Sequence, residues 1–229
     1  MNIDKVSTLN FQSKAYPITP FIVNTKKGQL YFSEVTKNDL KDKNFLDTLT
    51  TFYCKNFGSL TNDPWWKQFL QKDKNSYKED FNHLLQYWKY KINLKDPDMT
   101  LLIARDENNK IQGACLGYGF DELPEVSNTV YYIDSIAVNP EYRGYDIGKI
   151  LLNKTIDSAK NKFSEAFLIG ERLALGFYKK LGFKTLDAKK QSNLINILEM
   201  EHPDYPDYVD FVAKTLNPKT ASKGLAQFH

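Results

Sequence analysis

Three features within one stretch of this chain have the residue types and spacing to do chemistry: a glycine-punctuated loop starting at Arg143, a tyrosine at 178 and a carboxylate at 134. The loop reads Arg143-Gly144-Tyr145-Asp146-Ile147-Gly148 and follows an expected strand, Val130–Val138, through a proline-bearing turn. It opens an amphipathic helix that carries Leu152, Ile156, Ala159 and Phe163 on one face. Unpaired amides at a helix N-terminus and the helix dipole both favour negative charge, so the loop suits a phosphorylated ligand. A short glycine loop alone favours an ordinary strand-to-helix turn, and only the second segment shifts the balance. Tyr178 lies on a second short helix, Phe177 to Leu181, stopped by Gly182. A helical tyrosine taken alone reads as a core residue with its hydroxyl bonded to backbone. Asp134 stands among apolar residues in the expected strand, where a carboxylate is costly unless partnered. It reads either as a proton acceptor or as a structural acid bonded to backbone or to Tyr132.

The surrounding elements must position these groups. Residues 21–35 alternate around a Gly28 turn and predict two short strands. Thr36 to Asp39 offers a helix start, after which Leu46, Leu49, Tyr53 and Phe57 form a helical stripe ended by Gly58. A further helix is expected where Tyr77, Phe81, Leu84, Leu85, Trp88 and Ile92 share a face. Strands are expected at 100–104 and 111–118 around the turn Asp106–Asn109, and a short one at 166–169. A helix from about Glu171 to Leu181 packs through Leu173, Phe177 and Leu181. Phe183–Leu186 and Leu194–Met200 read as a hairpin, and 208–216 as a short helix. The order implies an α/β chain with a mixed sheet flanked by helices. It divides into an N-terminal arm (1–20), one domain (21–202) and a C-terminal extension (203–229).

Composition excludes several classes. Net charge is +3 with lysines interrupted by acids, so no nucleic acid is expected as partner. No apolar run approaches the roughly 20 residues needed to cross a bilayer, and no secretory signal is seen. A cytoplasmic protein with no membrane partner is expected. Cys54 and Cys115 are far apart, and His83, His202 and His229 lack partners at ligand spacing, so no metal is expected.

The loop resembles the phosphate-binding signature Gln/Arg-x-x-Gly-x-Gly/Ala of the GNAT superfamily of N-acetyltransferases, with Asp146 where glycine is usual. Ala174-Leu175-Gly176-Phe177-Tyr178-Lys179-Lys180-Leu181-Gly182-Phe183 is similar to a second segment of that superfamily, with Glu171 where asparagine is frequent. The resemblance implies a GNAT-like acyl-CoA N-acyltransferase fold and acetyl-CoA as co-substrate. It implies that Arg143, Gly144, Tyr145, Asp146, Ile147, Gly148 and Lys149 hold the pyrophosphate. Main-chain groups of Ile136, Ala137 and Val138 would bond the pantetheine arm, with Ala174 beside it. Tyr178 would serve the departing thiolate and Asp134 would take a proton from an amine. The acceptor is left open among small molecule, peptide and protein, with Trp65, Trp66, Tyr77 and Trp88 as candidate walls and the acidic loop 121–125 as an attractor. A homodimer is compatible with this reading. The rival is a catalytically weak or inactive acyl-CoA-binding module on the same fold.

Overall fold

A computed structural model describes residues 18–56, 98–119, 130–197 and 209–217, together with Asn82, Leu85 and Gln86. Apart from Asn82, Leu85 and Gln86, which are helical, the expected helix over 77–92 lies outside the described residues, as do the tryptophan walls and the loop 121–125.

Among the described residues eight strands form one sheet: β1 (Phe21–Thr25), β2 (Gly28–Glu34), β3 (Thr100–Arg105), β4 (Ile111–Gly119), β5 (Val130–Val138), β6 (Glu165–Glu171), β7 (Lys184–Thr185) and β8 (Val209–Thr215). Their order across the sheet is β1-β2-β3-β4-β5-β6-β8-β7. The β5–β6 pair is parallel and the others are antiparallel, so the sheet is mixed as expected. Helix α1 (Lys43–Asn56) covers one face and α2 (Ile147–Ala159) the other. Two shorter helices follow, α3 (Leu175–Lys180) and α4 (Ala188–Ile197).

β3 shows why this sheet needs both layers. Leu102 and Ala104 join the core under α2, whereas Leu101 and Ile103 join the core under α1. A strand buried on both faces reads as a continuous apolar run, as TLLIA does. The approach to α1 is held by a reciprocal cap. Asp39 N–H donates to Thr36 Oγ1 (3.2 Å), and Thr36 N–H donates to the Asp39 carboxylate (2.7 Å). Such a cap contributes about 1 kcal/mol. It opens a single 3-10 turn, Asp39–Lys41, before the α-helix proper.

The C-terminal expectations require correction. Residues 194–197 are helical rather than strand, and the partner of β7 is β8, at Lys184↔Ala213 and Thr185↔Val212. The overlooked signal is Asp187, whose carboxylate accepts from Lys190 N–H at 3.0 Å and caps a run of good helix formers. Residues 209–215, expected as a helix within an extension, are a strand inserted between β6 and β7. Pairing on both sides, with Phe211 and Val212 buried, outweighs the helical spacing of this β-rich run.

Two buried acids of the alkaline range sit in this core. Burial pushes the Cys115 thiol on β4 from 9.0 up to about 12, and raises the Tyr53 phenol above its ordinary range. Both are neutral at pH 7. A group with a raised folded pKa contributes stability below its unfolded pKa and loses it as pH rises toward the folded value. Stability is therefore predicted to fall between pH 9 and about 12, by roughly 1.4 kcal/mol per pH unit for the thiol. Thermal unfolding across that window checks it: Cys115→Ala should start lower than the parent but decline less steeply.

Candidate active site

The site begins where two neighbouring strands stop bonding each other. β5 pairs with β4 from Gly113↔Val138 to Gly119↔Tyr131, and β6 pairs with β8 over its whole length. Between them, β5 and β6 share three pairs: Val130↔Glu165, Tyr131↔Ala166 and Tyr132↔Phe167. From Ile133 and Leu168 onward the strands part.

A bulge stands beside that parting. Leu116 pairs with Ser135 but Gly117 pairs with Ile133, so Asp134 is an extra residue on β5. Bulges bend a strand and re-aim its side chains. Here the parity of β5 inverts across it. Tyr131 and Ile133 face the α2 core before the bulge, and Ile136 and Val138 face it afterwards. Tyr132 and Ala137 face the α1 core. Asp134 accepts a hydrogen bond from Tyr118 Oη at 3.2 Å, and Ser135 Oγ donates to Tyr53 Oη at 3.2 Å. The carboxylate expected to need a partner has one in Tyr118. Tyr132 packs edge-on against Tyr118 at 5.5 Å.

The gap between the strands is a cavity of about 440 Å³, within the size range of small-molecule sites. Asp134, Ile136, Ala137 and Val138 line it from β5, and Ala174 and Tyr178 from the segment after β6. Arg143, Gly144, Asp146, Ile147, Gly148 and Lys149 line it from the loop. Tyr145 does not; it packs half-buried on the α2 core. Residues that sequence reasoning missed also contribute: Asn56 at the end of α1, Tyr142, and Leu168 and Ile169 of β6. Leu168 and Ile169 could have been found from the register alone, being the first β6 residues beyond the shared pairs.

Backbone geometry shapes the loop. Asp146 adopts φ 59°, ψ 9°, the left-handed conformation that aspartate reaches more readily than most residues. Its side chain makes no cap bond, and the residue is exposed. Gly144 has φ +83° with no atom within 4 Å of a built Cβ, so the loop is open on that side. Arg143 Nε donates to the Val138 carbonyl at 3.2 Å, tying the loop back to β5. The first helical bond of α2 runs from Ile150 N–H to the Asp146 carbonyl at 2.9 Å. The amides of Ile147, Gly148 and Lys149 precede it, and they are the donors a helix leaves for an anion.

Tyr178 is 7% exposed, and the line expected for its helix needs correction. Leu173 is 67% exposed at the mouth of the cavity rather than packed on the sheet. It belongs to a 3-10 turn, Arg172–Ala174, so the 3.6-residue period of α3 does not extend back to it.

Residues 62–183 match the Acetyltransferase (GNAT) family. The chain belongs to that family. It is 32% identical over 101 residues to an uncharacterised N-acetyltransferase of Methanocaldococcus jannaschii, a match covering 39% of this chain and 45% of that protein. The matched part is thus under half of that relative's length. In fold it is similar to the PaiA N-acetyltransferase of Thermoplasma acidophilum, solved in complex with coenzyme A. That likeness has a TM-score of 0.52 at 15% identity and covers 81% of this chain and 98% of the other. An aminoglycoside 6'-N-acetyltransferase complexed with coenzyme A gives a TM-score of 0.50 at 16% identity, covering 82% and 97%. The fold expected from the sequence, an acetyltransferase mixed sheet flanked by helices, is the one the chain adopts.

Packing between the loop and α3 yields a contrast between two glycines. A Cβ at Gly148 meets Phe177 at 3.3 Å and Val138 at 3.6 Å, whereas one at Gly176 meets nothing within 4 Å. Gly148→Val is predicted to destabilise by about 1–3 kcal/mol through overpacking. Gly176→Ala, in a helix, should be neutral or stabilising by up to about 1 kcal/mol. Urea unfolding of the two variants beside the parent measures both.

Proposed function

We propose that this protein transfers an acetyl group from acetyl-CoA to a primary amine, by direct attack within a ternary complex. The observation that carries the reading is one cavity holding a carboxylate, a phenol and the amides of a helix N-terminus, in a chain of the acetyltransferase family. The residues present fit the co-substrate. The α2 amides with Arg143 and Lys149 would hold the diphosphate, and the edge of β5 from Ile136 to Val138, which β6 does not pair, would bond the pantetheine arm. The thioester then reaches the parting of the strands.

A primary amine with a pKa near ~10.4 is almost wholly protonated at pH 7, which costs its nucleophilic form roughly 4–5 kcal/mol. The ammonium first loses one proton to solvent, and as the free amine attacks the thioester carbon Asp134 takes the second, directly or through water, and returns it to solvent. Tyr118 holds that carboxylate in place. When the carbon–sulfur bond breaks, Tyr178 gives its phenolic proton to the sulfur and regains one from solvent. Neither cysteine enters this scheme. Cys115 is fully buried with its thiol protonated, and Cys54 does not line the cavity. The acceptor classes under test are small amines such as aminoglycosides, peptide N-termini and lysine side chains.

Asp146, together with Glu171 where asparagine is frequent, motivates the rival reading of binding without transfer. At ~4 Å from a phosphate its charge would cost roughly 1 kcal/mol in water and up to about 4 near a protein surface. The exposure of Asp146 lets the carboxylate turn to solvent.

Three outcomes are expected. Calorimetry shows acetyl-CoA binding, and Asp146→Gly leaves that affinity unchanged or tighter; a large loss would mean the loop does not hold the diphosphate. In an amine-panel assay, Tyr178→Phe and Asp134→Asn each lower kcat about 100-fold while coenzyme A affinity is kept. Absence of heat and of thermal stabilisation at millimolar acetyl-CoA would defeat the proposal, and binding with a silent panel would establish the rival.

A further inference from the structure

The position of the Tyr178 ring has a steric cause on β6. A Cβ built on Gly170 falls 3.0 Å from Cε2 and 3.1 Å from Cδ2 of Tyr178, and 3.2 Å from Cδ1 of Leu168. Contacts this close are tighter than nine in ten that real Cβ atoms make, so a side chain at 170 would need the ring to give by a few tenths of an ångström. The backbone gives no separate reason for glycine here. The described glycines with positive φ are Gly28, Gly144 and Gly182, and Gly170 is not among them. Glycine within a strand weakens it, and often marks a place where another group approaches closely.

The ring is enclosed elsewhere as well. Phe177 lies edge-on at 5.2 Å and Phe183 at 6.1 Å between centroids. Nor can β6 step back, because it pairs with β8 throughout, with Gly170 opposite Asp210. Leu168 and Tyr178, which meet at Gly170, both line the cavity.

We infer that Gly170 is a positioning residue: its missing side chain is the notch that seats the Tyr178 ring and fixes where the phenol stands in the groove. This rests on the reading of Tyr178 as proton donor to the departing thiolate. A methyl at 170 moves the ring by some tenths of an ångström, and misplacing a reacting group by 1 Å can cost about 100-fold in rate.

The test is a double-mutant cycle on the full chain, with coenzyme A titration and thermal unfolding run beside turnover. Gly170→Ala should lower kcat about tenfold while the amine KM and the coenzyme A affinity change less than about twofold. In a Tyr178→Phe background the same change should produce no further loss, since no phenol remains to be misplaced. A general packing defect would instead lower activity by the same factor in both backgrounds, and that result overturns the inference. So does wild-type kcat in Gly170→Ala. Should the alanine variant fail to fold, the same change is made on a Leu168→Ala background, which relieves the contact with Leu168 Cδ1 but not those with the Tyr178 ring. A kcat about tenfold below that of Leu168→Ala alone supports the notch, and a kcat equal to it refutes it. A parent that loses turnover on Tyr178→Phe but ignores Gly170→Ala sinks this inference alone. A parent that acetylates no amine sinks it together with the reading beneath it.

Discussion

The site depends on where hydrogen bonding between β5 and β6 ends. Each strand satisfies its backbone along the far edge, β5 with β4 and β6 with β8, and the two join through three pairs. Such a sheet can hold an opening in its middle without losing its outer ladders. Backbone groups on the inner edges are then left for a ligand instead of a strand, and a buried backbone group must find some partner. Asp134 adds to this by lengthening β5 one residue past the last shared pair.

The opening also sorts the chemistry by face. Asp134 bonds to Tyr118 of the α1 core, whereas Tyr178 belongs to the α2 core. The Tyr178 phenol and the Asp134 carboxylate therefore reach one cavity from opposite sides of the sheet.

Much of this was legible in the sequence because local signals agreed with the tertiary outcome. The strand over 130–138 has its observed limits, and the expected helical face Leu152, Ile156, Ala159 and Phe163 is buried. The left-handed turn at Asp146 follows from its residue type and place in the loop. What escaped was set by partners distant in sequence. Nothing in Ile133-Asp134-Ser135 announces a bulge, since the extra residue is defined by its register with β4. Tyr118 likewise becomes a partner of Asp134 through that register alone. Val209–Thr215 carries a mixed pattern, and pairing with β6 and β7 decided it. Leu173 shows the reverse failure, in which a true helical period was extended one turn too far.

β8 has a consequence for the order of assembly. One wall of the groove is β6, and its outer neighbour comes from residues 209–215, far downstream of the loop and of Tyr178. While a nascent chain is still short of Thr215, that wall presents a bare edge and Gly170 lacks the companion that keeps it from yielding to the tyrosine. The side chains of the candidate site thus emerge from the ribosome before the strand that braces the wall beside them.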